Sequence, residues 1–318
     1  MTAMLEASGL VRRYGSTVAL DGFDLSVAAG EIAGLVGHNG AGKTTFARVT
    51  AGLLAPDAGM VRVAGRAPAQ GLPLLGLAPQ ELALYPTATA LENLEVFAGL
   101  YGVRGRDARQ RISALAEDLV LGDVLDRRAR DLSGGQQRRL QAATAMVHRP
   151  RVLLLDEPTV GADPVTRDAL LAVVRAAADD GAAVVYTTHY LPELDTLGAT
   201  LAVASGGRVI ARGSRAELLA SVPGRAVADF DRLPAALRAA ALAGQAAPPG
   251  GLAYGGAVEI SQDGTRLVIT APDPAAALAP LLAAHADAVT HLRSLELHPP
   301  TLDDLYRHLL ASRRTEDS

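Results

Sequence analysis

Cysteine is absent from the 318 residues, and so is tryptophan. Without thiols the chain forms no disulfide and offers no thiolate to a metal. Aromatic residues make up only 3% of the total, too few for the stacked-ring platforms that hold single-stranded nucleic acid. Net charge is scarce too: 30 basic residues against 34 acidic ones leave −4, so the chain lacks the positive field of a nucleic-acid binder. The longest uncharged stretch, residues 239–258, is broken by Pro248, Pro249, Gly250 and Gly251, which no spanning helix tolerates in lipid. It reads as a linker. The first residues, MTAMLEASGL, carry Glu6 and no basic-then-apolar leader, so the expectation is a cytosolic chain.

Lysine is the scarcest charged residue: of the 30 basic positions only Lys43 is a lysine, the rest being arginine. It lies in EIAGLVGHNGAGKTTFARV, residues 31–49, where an apolar strand pattern at 32–36 runs into a glycine-rich turn and then a helical pattern. That is the strand, loop and helix setting of the GxxxxGK[ST] phosphate loop. Gly37 and Gly42 let backbone N–H groups turn inward around phosphate oxygens, and His38, Asn39, Gly40 and Ala41 complete the loop, with the His38 side chain expected to face outward. Lys43 reaches the β- and γ-phosphates. Thr44 and Thr45 stand at the helix N-terminus, where the dipole favours an anion, and the Thr44 hydroxyl is placed to ligate Mg²⁺.

A nucleotide hydrolase also needs a buried strand that ends in an acid able to hold the metal. Residues 152–158, VLLLDEP, supply it: consecutive apolar positions read as a central parallel strand covered on both faces, with two carboxylates at its C-terminal end. Asp156 is expected to hold Mg²⁺ through water and Glu157 to polarise the attacking water. In DLSGGQQRRLQAATAMVHRP, residues 131–150, Ser133 is a helix N-cap type followed by Gly134 and Gly135, and Leu140, Ala143 and Val147 keep a helical period. This glycine-lined helix start is a second anion site, which one nucleotide on Lys43 does not need unless two copies share the site.

LSGGQ at 132–136, with the phosphate loop upstream and LLLDEP downstream, closely resembles the nucleotide-binding subunits of ATP-binding cassette (ABC) transporters. Further elements fall in family order over residues 5 to about 220. Tyr14 before Gly15 resembles the aromatic residue that stacks on adenine, and Gln80 in LAPQ resembles the Q-loop glutamine. GADP at 161–164 resembles the D-loop, TTHY at 187–190 presents His189 as the switch histidine, and GRVIARGS at 207–214 closes the cassette. The runs LYPTATALENLEVFAGLYGV, PTVGADPVTR and PPTLDDLYRHL are similar to ABC-2 type exporter ATPases.

The resemblance implies an α/β fold, a P-loop NTPase with a RecA-like core, an antiparallel β subdomain and a helical subdomain at about 84–150. It implies a nucleotide-binding domain at 1–220 and a small C-terminal α+β accessory domain at 221–318. It further implies a head-to-tail homodimer sandwiching ATP between the Lys43 loop of one copy and Ser133, Gly134, Gly135 and Gln136 of the other. Thr44, Gln80 and Asp156 would hold Mg²⁺, and Glu157, His189, Gln80 and Lys43 would carry ATP hydrolysis. The partner is a separate ABC-2 type permease, which keeps the chain on the inner face of the cell membrane; no nucleic acid is expected. Departures from the family pattern are His38 for a frequent Pro, Ala162 for a commoner Leu, and Ala199–Thr200 for an Asp–Arg pair. The last is expected to remove charges that brace the final strand.

Arginines scattered over 84–130 alternate with acids, the pattern of a solvated helical face rather than a nucleic-acid patch. Beyond Ser221, VEISQDGTRLVIT at 258–270 alternates on both sides of Asp263–Gly264, a hairpin signal. A helix at 274–285, a strand near 289–298 and a helix from 301 complete the appendage, which is expected to help hold two cassettes together or regulate their closure. His285, His291, His298 and His308 follow no ligand spacing and read as surface or packing residues.

Overall fold

Strands that are apolar at every position need cover on both faces, and three segments meet that description: Ile32–Val36, Val152–Asp156 and Ala183–Thr187 are buried throughout. In the computed structural model, which describes residues 3–220, 222–245, 257–301, 304, 305 and 307, they form the middle of a sheet. The chain divides into two compact units, Met1–Ser214 and Arg215–Ser318.

The first unit holds nine strands among the described residues: β1 (Ala3–Tyr14), β2 (Thr17–Ala28), β3 (Ile32–Val36), β4 (Ala58–Val63), β5 (Leu75–Ala78), β6 (Val152–Asp156), β7 (Ala183–Thr187), β8 (Thr200–Ser205) and β9 (Arg208–Gly213). A six-stranded sheet runs β5-β6-β7-β3-β8-β9, parallel except for β9, which returns antiparallel on β8. A three-stranded antiparallel sheet, β2-β1-β4, buries one face through Leu5, Ala7, Leu20, Phe23, Leu25 and Val27. Both sheets share one core, in which Phe23 stacks on Phe46 of the helix Lys43–Thr50 with ring centroids 4.9 Å apart. This is the P-loop NTPase arrangement with an antiparallel β layer beside a mainly parallel sheet.

Between β5 and β6 the chain is helical: Ala90–Leu100, Gly105–Asp118 and Gly134–Met146. Thr89 and Glu92 close a capping box on the first of these, and Ala90, Leu94 and Ala98 bury one face at four-residue spacing. Ala108, Ile112 and Ala116 do the same on the second. Arg104, Arg106, Arg109, Arg127, Arg128 and Arg130 are exposed, as a solvated face requires. Among the described residues no helix is long and apolar enough to cross a membrane.

The second unit is an antiparallel sheet of order β11-β12-β10-β13, with β10 (Gly224–Phe230), β11 (Ala257–Ile260), β12 (Arg266–Ala271) and β13 (Leu292–His298). The hairpin is present, Val258 facing Ile269 across it, and the helix is Pro274–Ala284. Two readings of this region change. The stretch taken as a linker from residue 239 begins inside the helix Ala235–Gln245, because the prolines come only at 248 and 249 while Leu237 and Ala241, one turn apart, are fully buried. The strand begins at Leu292, the preceding Ala286–Val289 being a helical turn that buries Ala288. The rest of the linker and the helix expected from 301 fall largely outside the described residues.

The loss of the Asp–Arg pair does not leave β8 unbraced. Thr200 Oγ1 donates to Glu31 Oε1 at 2.7 Å, and the same oxygen pairs with Arg212 of β9 at 2.7 Å, while Oε2 accepts the Ala28 N–H at 2.8 Å. A hydroxyl thus ties β8 to an ion pair between Glu31, which immediately precedes β3, and Arg212 of β9. Burial alone would raise the Glu31 carboxyl, but the Ala28 amide, the Thr200 hydroxyl and Arg212 together bring it below the ordinary 4.5. A carboxylate with a depressed value in the folded state stabilises fully above its unfolded value and loses that contribution as pH falls through the folded one. Glu31→Gln should therefore lower stability by roughly 1 kcal/mol at pH 7, and the gap to wild type should close as the pH is taken below 4.5. Thermal unfolding across pH measures it, and a gap that widens on acidification contradicts the assignment.

Candidate functional site

The phosphate-loop glycines answer to two close approaches. At Gly37 a Cβ would lie 2.3 Å from the Ala204 carbonyl oxygen at the end of β8. At Gly42, with φ +100°, it would lie 2.7 Å from the Ala19 carbonyl of β2. Any side chain at either position forces the loop off the sheet. Gly42 caps the helix Lys43–Thr50 with its carbonyl, which accepts the Phe46 N–H at 2.8 Å. Lys43 Nζ folds back over the loop, donating to the carbonyls of Gly37 at 2.6 Å and His38 at 3.3 Å. Burial pushes its ammonium below the ordinary value, against the pull of Glu157 and Asp156. His38 is exposed and meets Lys43 through its backbone oxygen.

Two strands away, β6 delivers Asp156 and Glu157 at its C-terminal end. Parallel pairing with β7 sets Asp156 opposite Thr187. Thr187 Oγ1 donates to Asp156 Oδ1 at 2.5 Å and accepts the Glu157 N–H at 3.0 Å, fixing both acids at once. Glu157 has φ +53°, a left-handed backbone costing roughly 1–2 kcal/mol in a non-glycine residue, which turns its side chain out of the strand line. Its carboxylate is then gripped from both sides: Gln80, just past β5, donates to Oε2 at 3.4 Å, and His189 Nε2 lies 2.5 Å from Oε1. Asp156 Oδ2 accepts from Thr44 Oγ1 at 3.2 Å, which joins the strand end to the phosphate loop.

These groups surround one cleft of about 520 Å³, lined by Tyr14, Thr17, Val18 and Ala19, the loop from Asn39 to Thr45, Gln80, Asp156 and Glu157. Tyr14 is 44% exposed at the cleft edge, with the Arg12 guanidinium 5.3 Å from its ring centre. Ser133, Gly134, Gly135 and Gln136 are not part of this lining. They start the helix Gly134–Met146, where Ser133 and Gln136 form a reciprocal capping box: the Gln136 N–H donates to Ser133 Oγ at 3.3 Å and the Ser133 N–H to Gln136 Oε1 at 2.9 Å. Gly135 lies against the D-loop, where a Cβ would be 3.3 Å from the Gly161 carbonyl.

Two positioning side chains carry no sequence signal of their own. Thr187 sits inside the TTHY run, yet its partners become visible only once β6 and β7 are known to be neighbours. Gln141 lies on the same helix as Ser133 and is buried; its amide oxygen accepts the Ala83 N–H at 2.8 Å and its amide nitrogen donates to the Pro79 carbonyl, clamping the segment that carries Gln80. A polar residue on the buried side of a helical period was the only clue.

Comparison with known proteins gives the family. A family model described as ABC transporter matches residues 20–160. The daunorubicin resistance ATP-binding protein DrrA3 of Streptomyces coeruleorubidus is 38% identical over 316 residues, covering 98% of this chain and 96% of its own. The Nod factor export ATP-binding protein I of Paraburkholderia xenovorans (strain LB400) is 39% identical over 241 residues, 74% of this chain and 79% of that one. Among solved structures, an ATP binding subunit of an ABC transporter superposes with a TM-score of 0.64 at 27% identity, covering 68% of this chain and 91% of that one. Similarity sustained over nearly the full length of both sequences makes this chain a member of the ABC transporter family, as one of its ATP-binding subunits.

Proposed function

We propose that this chain hydrolyses ATP in the Lys43 cleft and that the energy drives a membrane exporter through a separate ABC-2 type permease. The observation that carries the reading is the convergence of Lys43, Thr44, Asp156, Gln80 and Glu157 on one cleft, with His189 seated on Glu157. Export is supported by relatives whose names specify drug resistance and Nod factor export. On this reading the chain works at the inner face of the cell membrane.

The loop N–H groups from Asn39 to Thr45 and the Lys43 ammonium bind the phosphates, and Tyr14 offers its ring to the adenine. Thr44 Oγ1 and Asp156 Oδ2, 3.2 Å apart, are the hard oxygen donors that suit Mg²⁺, which keeps most of its shell as water and phosphate, and Gln80 stands beside them. Bound there, the metal would neutralise charge on the phosphates. Glu157 takes a proton from water as the water oxygen bonds to the γ-phosphorus and the bond to the β–γ bridging oxygen breaks, giving ADP and phosphate. Gln80 and His189 hold the carboxylate to that task. Glu157→Gln should lower turnover by about 10²–10⁴-fold while ATP still binds, whereas Lys43→Ala should lose affinity. Steady-state hydrolysis with nucleotide titration separates them, and wild-type turnover by Glu157→Gln removes the base assignment.

The Ser133 to Gln136 helix start lies outside the cleft, which supports a head-to-tail homodimer in which each copy completes the other's site. Lys43→Ala and Ser133→Arg chains, each inactive alone, should restore hydrolysis when mixed, since a mixed pair contains one composite site with both halves wild type. Absence of recovery at every ratio counts against the sandwich.

Residues 1–220 form the cassette on this reading, and 221–318 an accessory domain that helps the cassettes stay together. The accessory domain has its own core around Phe230, Leu237, Ile269 and Leu278, and every nucleotide motif lies before it. A Glu157→Gln chain ending at Ser214 should still bind ATP but dimerise more weakly than the full chain by sedimentation; an equally tight dimer removes the role.

A further inference from the structure

Glu193 takes no part in the chemistry above, yet it is a carboxylate only 1% exposed. A charge so far from water persists only where donors surround it. Here two donors and one cation, from three other segments, do so. Thr159 Oγ1 donates to Oε1 at 2.7 Å, Arg167 Nε lies 3.2 Å from the same oxygen, and the Tyr186 hydroxyl donates to Oε2 at 3.0 Å. Burial and the facing carboxylate raise the Tyr186 phenol far above its ordinary value, so it stays a donor.

The placement of these donors gives the cluster its meaning. Thr159 follows Glu157 in the loop leaving β6, and Glu193 lies in the short helix Pro192–Thr196 that follows the His189 loop. The Arg167 guanidinium, which neutralises Glu193, also lies 4.8 Å from the ring centre of Tyr190, the residue after His189. His189 itself has 56% of its side chain exposed, so packing alone does not fix its ring, although Nε2 stands 2.5 Å from Glu157. The loop carrying Glu157 is thus stapled, through one buried carboxylate, to the short helix into which the His189 loop runs.

We propose that Glu193 is a positioning residue, which sets the Glu157–His189 contact by holding Thr159 to the helix that follows His189. The proposal rests on the reading that Glu157 activates water. A merely structural cluster would treat its hydrogen bonds alike: loss of any one would lower stability, and none would single out turnover. A positioning cluster discriminates, because Thr159 stands in the Glu157 loop itself, whereas the Tyr186 hydroxyl belongs to β7 and meets that loop only at Thr159, so its loss leaves the Thr159–Glu193 bond in place.

Glu193→Ala strands two donors and a guanidinium in a dry site and can fail to fold, so the decisive variants are isosteric. In the full chain, Thr159→Val should cut kcat by about 10- to 100-fold, the range for a misplaced catalytic group, with KM for ATP within about twofold. Thr159→Ser should restore kcat to within about threefold, and Tyr186→Phe should lower the melting temperature as Thr159→Val does while keeping kcat within about threefold. Independently of turnover, the His189 imidazole Cε1–H resonance, assigned through His189→Ala, should move in Thr159→Val and hold in Tyr186→Phe. Wild-type kcat in folded Thr159→Val, equal losses of kcat in the Val and Phe variants, or an unmoved His189 resonance each overturns the proposal. An inactive wild-type chain would instead refute hydrolysis, and the resonance would still decide the staple.

Discussion

One hydroxyl carries the geometry of the site. Thr187 Oγ1 gives its proton to Asp156 and receives the Glu157 N–H, so a single side chain on β7 both orients the acid that faces Thr44 and anchors the backbone on which Glu157 turns. Asp156 and Glu157 are almost fully buried, and two adjacent acids in so dry a place need fixed donors. The left-handed φ of Glu157 is held by the same bond and by a second, from its N–H to the Thr187 carbonyl at 3.1 Å. Strain concentrated at one residue is sustained by the strand beside it.

That dependence explains what could be read in the sequence. The phosphate loop was legible because its requirements are local: Gly37 and Gly42 must lack side chains, Lys43 and Thr44 must follow, and all of this fits in one run. The strand VLLLD was legible because a segment covered on both faces is apolar at every position. Thr187 and Glu193 were not, since their partners lie on other strands and loops, and the order β5-β6-β7-β3-β8-β9 is not written in any one segment. Thr200 shows the same limit from the other side. Read locally it is a lost charge, but against β3 and β9 it is the donor that completes the Glu31–Arg212 pair. The helix Ala235–Gln245 is hard to read for a different reason: its uncharged alanines run on to the breakers at 248–251, and only the burial of Leu237 and Ala241 separates helix from linker.

The site's polar groups are tied to elements that do not carry the chemistry. Gln80 is clamped through Gln141 to the helix that Ser133 begins, and Gly135 on that helix rests against Gly161 of the D-loop. A shift of the helix Gly134–Met146 would therefore reach Gln80 through backbone hydrogen bonds and Gly161 through direct contact. Contacts of this kind connect the segment expected to face a second copy with the carboxylate that Gln80 grips, without needing any long-range field.

The solitary lysine has a chemical consequence. Lys43 is the only side-chain amine in the sequence, and burial lowers its affinity for a proton against the pull of Glu157 and Asp156. Acylating reagents, carbonyl sugars and enzymes that modify lysine thus meet a single side-chain target here, and it is the one inside the phosphate loop. In a relative rich in surface lysines, such reactions would spread over harmless positions. In this chain every side-chain amine adduct blocks the nucleotide cleft, so labelling at the Lys43 peptide reports directly how accessible the cleft is.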